Sequence, residues 1–397
     1  MVGLAAVRRC GRPAARGGFS LLEVLISMFV LTIGLLGVAA LIPIANLAIA
    51  RTAVADRAAA CGRAGMREVR VREWLNPNLW IQPGRPSVPI DPFAAYCIDP
   101  MYLSRMPAGA YPAAYTFPFD LGGIPLKMHR VSLNLPIAPA SQVSVFDDLF
   151  TWHDDLVIDR SGDARPRLLF ATDTGQSVPF PRRAGDTPTA GTILNEAEYG
   201  DYSWMITVTP APSTIVTGSP GPGLIGPSFE RFAQNVSIVV YRKRNLLEPT
   251  NIDNGAPVER VVRVNFLGTG TGGGDVRLTF DNTAGYDPYE YLSIHEGEWM
   301  LVCGNLAWGL PNQPPRNVFL WYRVISTGEI INTNNNQYAR ELTLAGPDWS
   351  RNWSTNSDTD GDGIPFEAQG VLVNNVVGVY TETVEADYQA PWSTLPQ

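Results

Sequence analysis

"RGGFSLLEVLISMFVLTIGLLG" occupies residues 16–37. It is one apolar run that opens on a glycine pair and carries a single carboxylate, Glu23. Downstream, Val24 to Ala50 contains no charged residue over 27 positions. About 20 apolar residues suffice to cross a bilayer as a helix. Ahead of the run lie Arg8, Arg9, Arg12 and Arg16, with no acid among the first 18 residues. That bias predicts a cytoplasmic N-terminus and an extracytoplasmic remainder. A secretory signal has a shorter apolar core with its small-residue cleavage site behind it. Here Gly17-Gly18 stands in front. Cys10 follows no apolar stretch, which disfavours a lipoprotein.

Glu23 needs an account. A lone charged carboxylate near the end of a membrane helix costs a few kcal/mol. It can snorkel, stay neutral or find a partner. A cut after Gly18 would give Phe19 a new α-amino group, with Glu23 one helical turn along the chain. Amine and carboxylate could then pair within one subunit or between neighbours.

The segment GFSLLEVLISMFVLTIGLLG closely resembles the start of type IV pilins and type II secretion pseudopilins. The likeness covers residues 16–50 and rests on the prepilin cleavage and methylation motif. It implies that Gly18 is the residue required before the cut by the prepilin peptidase, an aspartic protease of the inner membrane. It implies that Phe19 becomes the N-methylated first residue and that Glu23 recruits or registers the next subunit. Ile33–Gly37, "IGLLG", is similar to minor pilins and pseudopilins of the initiating-complex kind. Pro43 falls slightly later than the helix-kinking proline of many pilins. A plain signal anchor with a chance glutamate is the simpler alternative, and the glycine, phenylalanine and glutamate at the family's spacing weigh against it.

Residues 44–75 contain no proline and are rich in Ala, Arg and Glu, which are good helix formers. The helix is therefore expected from Phe19 to Leu75, on the order of 80 Å long, with its membrane segment at residues 24–50 and Asn76-Pro77 as its stop. Ala48, Thr52, Ala55, Ala59 and Gly62 form a small-residue stripe suited to close packing. Residues 76–397 read as a β-rich extracytoplasmic head with a possible subdivision near residue 200. "YSWMITVTP", "NVSIVVYRK", "RVVRVNFLG", "DVRLTFD", "EWMLVCG", "NVFLWYRVIST", "YARELTLAG" and "NNVVGVYTETV" alternate like strands. Their spacing suggests a meander ending near Val384. "WIQPGRPSVPIDP" and "PFPRRAGDTPTAG" read as surface loops. The fold class is α+β, with residues 1–18 as leader.

Chemistry in the head is sparse. In "SDTDGDGIPFE", Asp358, Asp360 and Asp362 alternate before Gly363, as at the start of a calcium loop. The Ile364 carbonyl and Glu367 complete a candidate set. The stretch resembles loops of dockerins and thrombospondin type 3 repeats, except that Gln369 stands where their last glutamate would be. The expectation is a structural calcium ion; an acidic surface turn is the alternative. "LGTGTGGGD" reads as a hairpin loop, because no Lys-Ser/Thr and no helix follow it. His129, His153 and His295 are scattered, and "WHDDLVID" reads as a polar turn. Cys97 and Cys303 would both lie where a disulfide is permitted.

Net charge is −8 and would be −12 without the four leader arginines, which disfavours nucleic acid as a partner. The expected partners are the prepilin peptidase/methylase, other pilin or pseudopilin subunits and the inner membrane. No enzymatic motif is apparent, and the chain is read as a non-enzyme. The preferred function is a minor pilin or pseudopilin subunit, because a head of about 320 residues would tile poorly in a fibre. The competing function is a surface-anchored binding protein or enzyme, for which a deep polar pocket would be expected.

Overall fold

The computed structural model describes residues 20–83, 94–106, 113–119, 126–135, 142–152, 158–159, 167–168, 202–210, 231–244, 246, 256–268, 270–282, 285–306, 316–334, 336–349, 353 and 367–387. The apolar run folds as part of one helix, α1 (Leu21–Val71), which carries Pro43 inside it. Every residue from Leu21 to Ala53 is exposed. With no water in a bilayer core, the helix must satisfy its own polar groups. Ser27 Oγ accordingly donates to the Glu23 carbonyl at 2.7 Å, and Thr32 Oγ1 to the Phe29 carbonyl at 2.8 Å.

The helix stops at Val71, four residues before the expected Leu75. Its end is a Schellman motif. Trp74 N donates to the Val69 carbonyl at 3.1 Å and Glu73 N to that of Arg70 at 3.3 Å, with Glu73 at φ 54°. Val69 and Trp74 are both buried and supply the apolar contact that accompanies this cap. The buried stripe shares only Gly62 with the expected one. It comprises Ala58, Cys61, Gly62, Gly65 and Val69, whereas Ala48, Thr52 and Ala55 are exposed.

That stripe packs on a sheet built from β1 (Trp80–Ile81), β2 (Tyr96–Ile98), β3 (Thr116–Phe117), β4 (Met128–Leu133), β7 (Tyr202–Pro210), β8 (Arg231–Arg242) and β15 (Val376–Asp387). Its order is β1-β4-β2-β7-β8-β15, with β3 beside β4. The β2–β4 pair is parallel; the others are antiparallel. Two strands of two residues, β5 (Ile158–Asp159) and β6 (Arg167–Leu168), pair separately. Trp80, expected in a loop, is buried in β1.

Six strands close a barrel: β9 (Glu259–Phe266), β10 (Gly273–Asp281), β11 (Trp299–Leu306), β12 (Arg316–Asn334), β13 (Gln337–Ala345) and β14 (Glu367–Val373), in the order β10-β13-β12-β11-β14-β9. The expected meander therefore holds locally, at β9–β10 and β11–β12–β13. It fails at closure, where β13 returns to β10 and β14 enters between β11 and β9. The last strand, β15, leaves the barrel and joins the sheet. "LGTGTGGGD" links β9 to β10 as a hairpin; at Gly273 (φ 111°) a Cβ would come 2.0 Å from the Leu344 carbonyl oxygen.

Strand alternation assigns each side chain to a layer. Along β11, Met300 and Val302 fill the barrel, whereas Leu301 and Cys303 point to the sheet. Along β7, Trp204, Ile206 and Val208 join the helix-side core, whereas Met205 joins the barrel side. Both faces of β7 are covered, so all nine residues are buried. Trp74 stacks on Phe150 of α3 (Gln142–Phe150) at 4.9 Å, and Phe150 lies 4.5 Å from Trp204. This aromatic trio ties the end of α1 to the sheet. Shorter helices are α2 (Pro100–Leu103) and α4 (Pro288–Tyr291).

Candidate functional site

The N-terminal segment offers the most specific chemistry. Ser20 stands just before α1, and its carbonyl accepts from Glu23 N at 2.9 Å and Val24 N at 3.2 Å. Glu23 therefore sits in the first turn, where the helix dipole favours a negative charge. Its side chain belongs to an exposed surface. Gly18 and Phe19 lie outside the described residues. The family model for the Prokaryotic N-terminal methylation motif matches residues 13–39. The N-terminal segment is type IV pilin-like. The matched segment contains Gly18, Phe19 and Glu23, and it runs into a helix long and apolar enough to cross a membrane. The motif implies processing by a prepilin peptidase and assembly with other pilins. Comparison of the chain with curated proteins and with solved structures gives no match.

In the head, the expected calcium ligands Asp358, Asp360, Asp362 and Ile364 lie outside the described residues. Glu367 opens β14, opposite Asn265 of β9. Gln369, at the place of the missing glutamate, is committed elsewhere. Its Nε2 donates to the Leu126 carbonyl at 2.7 Å, and its Oε1 accepts from Leu126 N at 3.3 Å. His153 is likewise outside the described residues. His129 lies in β4 beside Tyr96, and His295 Nδ1 is 3.5 Å from Glu298. Cys97 and Cys303 are buried thiols in the seam between sheet and barrel, so the permitted disulfide is not formed. Cys97 Sγ lies 3.6 Å from Met205 Sδ. Burial pushes both thiols far above their usual range.

The same seam holds a charge cluster that the strand reading missed. Arg244 donates to Asp99 through two bonds, at 2.9 and 2.5 Å. Arg130 of β4 lies 2.5 Å from Glu259 of β9 and 3.7 Å from Asp99. Its guanidinium sits 3.9 Å from the Tyr102 ring centroid. Glu259 also accepts from Phe119 N at 2.7 Å. Two cations and two anions thus neutralise one another where isolated charges could not be buried. Burial alone would raise the Asp99 pKa, but Arg244 and then Arg130 offset it and hold the carboxyl below its ordinary value. A cavity of about 10 Å³ adjoins Tyr102, Arg244 and Glu259, the space of about one water. The cluster fits a latch between sheet and barrel. A signal was present in "MHRVSL", where one arginine interrupts a strand, but nothing in sequence paired it with Glu259.

Proposed function

We propose that the chain is a minor pilin or pseudopilin subunit, cleaved after Gly18, N-methylated at Phe19, and assembled into or initiating a type IV pilus or a type II secretion pseudopilus. The observation that carries this is the methylation motif at residues 13–39 running into an exposed apolar helix. The anchor sits in the inner membrane with the N-terminus cytoplasmic and the head outside. Glu23 acts in assembly by meeting the new amine of a neighbour, a pairing favoured in lipid. The large head suits a tip or low-copy position. It carries no catalysis; a calcium ion held by Asp358, Asp360, Asp362, the Ile364 carbonyl and Glu367 would serve structure.

N-terminal sequencing and intact mass of the protein from its native membrane test the processing. An N-methylated phenylalanine corresponding to Phe19 is expected, and an intact Met1 start would overturn the assignment. Crosslinking into a fibre, lost in Glu23→Ala, separates an assembly subunit from a binding protein that merely uses the anchor.

A further inference from the structure

The barrel-facing side of the sheet changes character along its strands. One cross-strand row is apolar: Met205, Val239 and Val379. The next, two residues along, is Thr207–Ser237–Thr381, and the one after is Thr209–Asn235–Thr383. Six hydroxyl and amide side chains thus form a grid on one face. Threonine rows are ordinary where a sheet meets water. This one is not simply a wet face: Thr207 and Thr209 are 1% and 3% exposed, and Ser237 and Asn235 5% and 9%.

The barrel overhangs the grid through β12. Trp321 Nε1 donates to Thr207 Oγ1 at 3.2 Å, and Thr209 Oγ1 donates to the Phe319 carbonyl at 3.4 Å. Those two threonines fix the overhang. The β8 and β15 hydroxyls instead line a cleft of about 280 Å³, bounded across by Phe319, Leu320 and Trp321 and at the rim by Pro347 and Asp348. Within it Ser237 and Thr381 share a hydrogen bond of 2.8 Å, and Thr383 donates to Asn235 Oδ1 at 2.9 Å. The Asn235 amide hydrogens have no partner among the described residues. Asp348 Oδ1 accepts from Gly272 N at 2.6 Å, and its other oxygen has no hydrogen-bond partner among the described residues.

Among the described residues, the lining combines hydroxyls, one amide and one carboxylate over an apolar wall, with no cation. Phosphates and carboxylates would find no counter-charge among these described lining residues, and a wholly apolar ligand would leave the Asn235 amide hydrogens and the second Asp348 oxygen unpaired. A ligand that both donates and accepts through several hydroxyls, and has an apolar ring face for the β12 wall, satisfies both halves. The volume lies just under the range of small-molecule sites, which limits it to one ring. We propose that this cleft binds a single neutral sugar ring, such as the end of a surface glycan. The proposal goes beyond the assembly role and does not depend on processing at Gly18.

The test uses the full chain in detergent, with saturation-transfer NMR and titration of D-glucose, D-galactose, D-mannose, N-acetyl-D-glucosamine and, as an anionic comparison, N-acetylneuraminic acid. At least one neutral sugar should bind with Kd near about 1 mM. Thr383→Val, which keeps shape and removes the hydroxyl, and Asn235→Leu should each weaken it about tenfold. Arg277→Ala, on the exposed β10–β13 ion pair, should leave it unchanged. Thermal melts establish that the variants fold; if Asn235→Leu does not, Thr383→Val alone decides. Absence of binding at about 50 mM of every neutral sugar, binding of the acidic sugar alone, or affinity unchanged in the folded variants would overturn the proposal.

Discussion

Gly62 shows how one missing side chain sets a packing distance. A Cβ there would lie 2.0 Å from the Tyr380 ring, so α1 and β15 approach as closely as they do only because nothing intervenes. Gly62→Ala should therefore destabilise the head by about 1–3 kcal/mol, and Tyr380→Ala in the same chain should recover part of the loss; chemical denaturation of the four chains reads the coupling. The thiols of Cys97 and Cys303 should resist alkylation at about pH 8 until the head unfolds, since burial keeps them protonated. Asp99 gives a signed pH dependence. Its folded pKa is lowered, so it stabilises the fold above the unfolded value of about 3.9 and ceases to do so as pH falls through the folded value. The denaturation midpoint of the parent should drop below about pH 4. Asp99→Asn should start about 3–5 kcal/mol lower at neutral pH, because Arg244 loses its partner, and should show a shallower acid limb.

At the scale of elements, the end of α1 is stabilised despite its sequence. A Schellman cap prefers glycine at the left-handed residue, and here that residue is Glu73. Glu73→Gly should raise stability by up to about 1 kcal/mol, measured as a shift in thermal midpoint. The helix itself was legible, since an uncharged run of that length has few other fates. So were the strands whose alternation is long: "YSWMITVTP" is β7 to the residue. Partners were not legible. Alternation states which face a residue occupies but not which strand lies beside it, so closure of the barrel and departure of β15 into the sheet went unread. β14, "EAQGVLV", was missed because Glu367, Gln369 and Gly370 blur its pattern, and Gln369 is polar for the sake of Leu126. The helix stripe was misplaced because Ala and Gly mark every face of α1 alike; only the opposing Trp204, Ile238 and Tyr380 choose among them. At the proposed cleavage site the reverse holds, as the reading of Gly18, Phe19 and Glu23 rests on spacing alone.

At the scale of the whole head, sheet and barrel share an apolar seam and the buried Arg130–Glu259 pair. They should unfold as one unit, with circular dichroism and tryptophan fluorescence tracing the same urea transition. Calcium belongs at this scale as well: if the aspartate loop is filled, millimolar calcium should raise the melting temperature of the head and a chelator should lower it again, while Asp360→Asn should abolish the difference. The barrel's place in the chain has a further consequence. β8 and β15 are antiparallel neighbours, and where one ends and the other begins Arg242 N donates to the Asn375 carbonyl at 2.9 Å. Topologically they are a hairpin whose turn has been replaced by the whole of residues 243–375. A module whose two ends touch can be gained, lost or exchanged without rerouting its host, so a two-residue turn could stand in for it and leave the sheet's connectivity intact. What such an excision would bare is the sheet face carrying Cys97, Phe117, Met128, Met205, Val239, Tyr241 and Val379; a barrel-less version would stay soluble only after that face became polar, which makes the inserted module portable in its backbone but not in its surface.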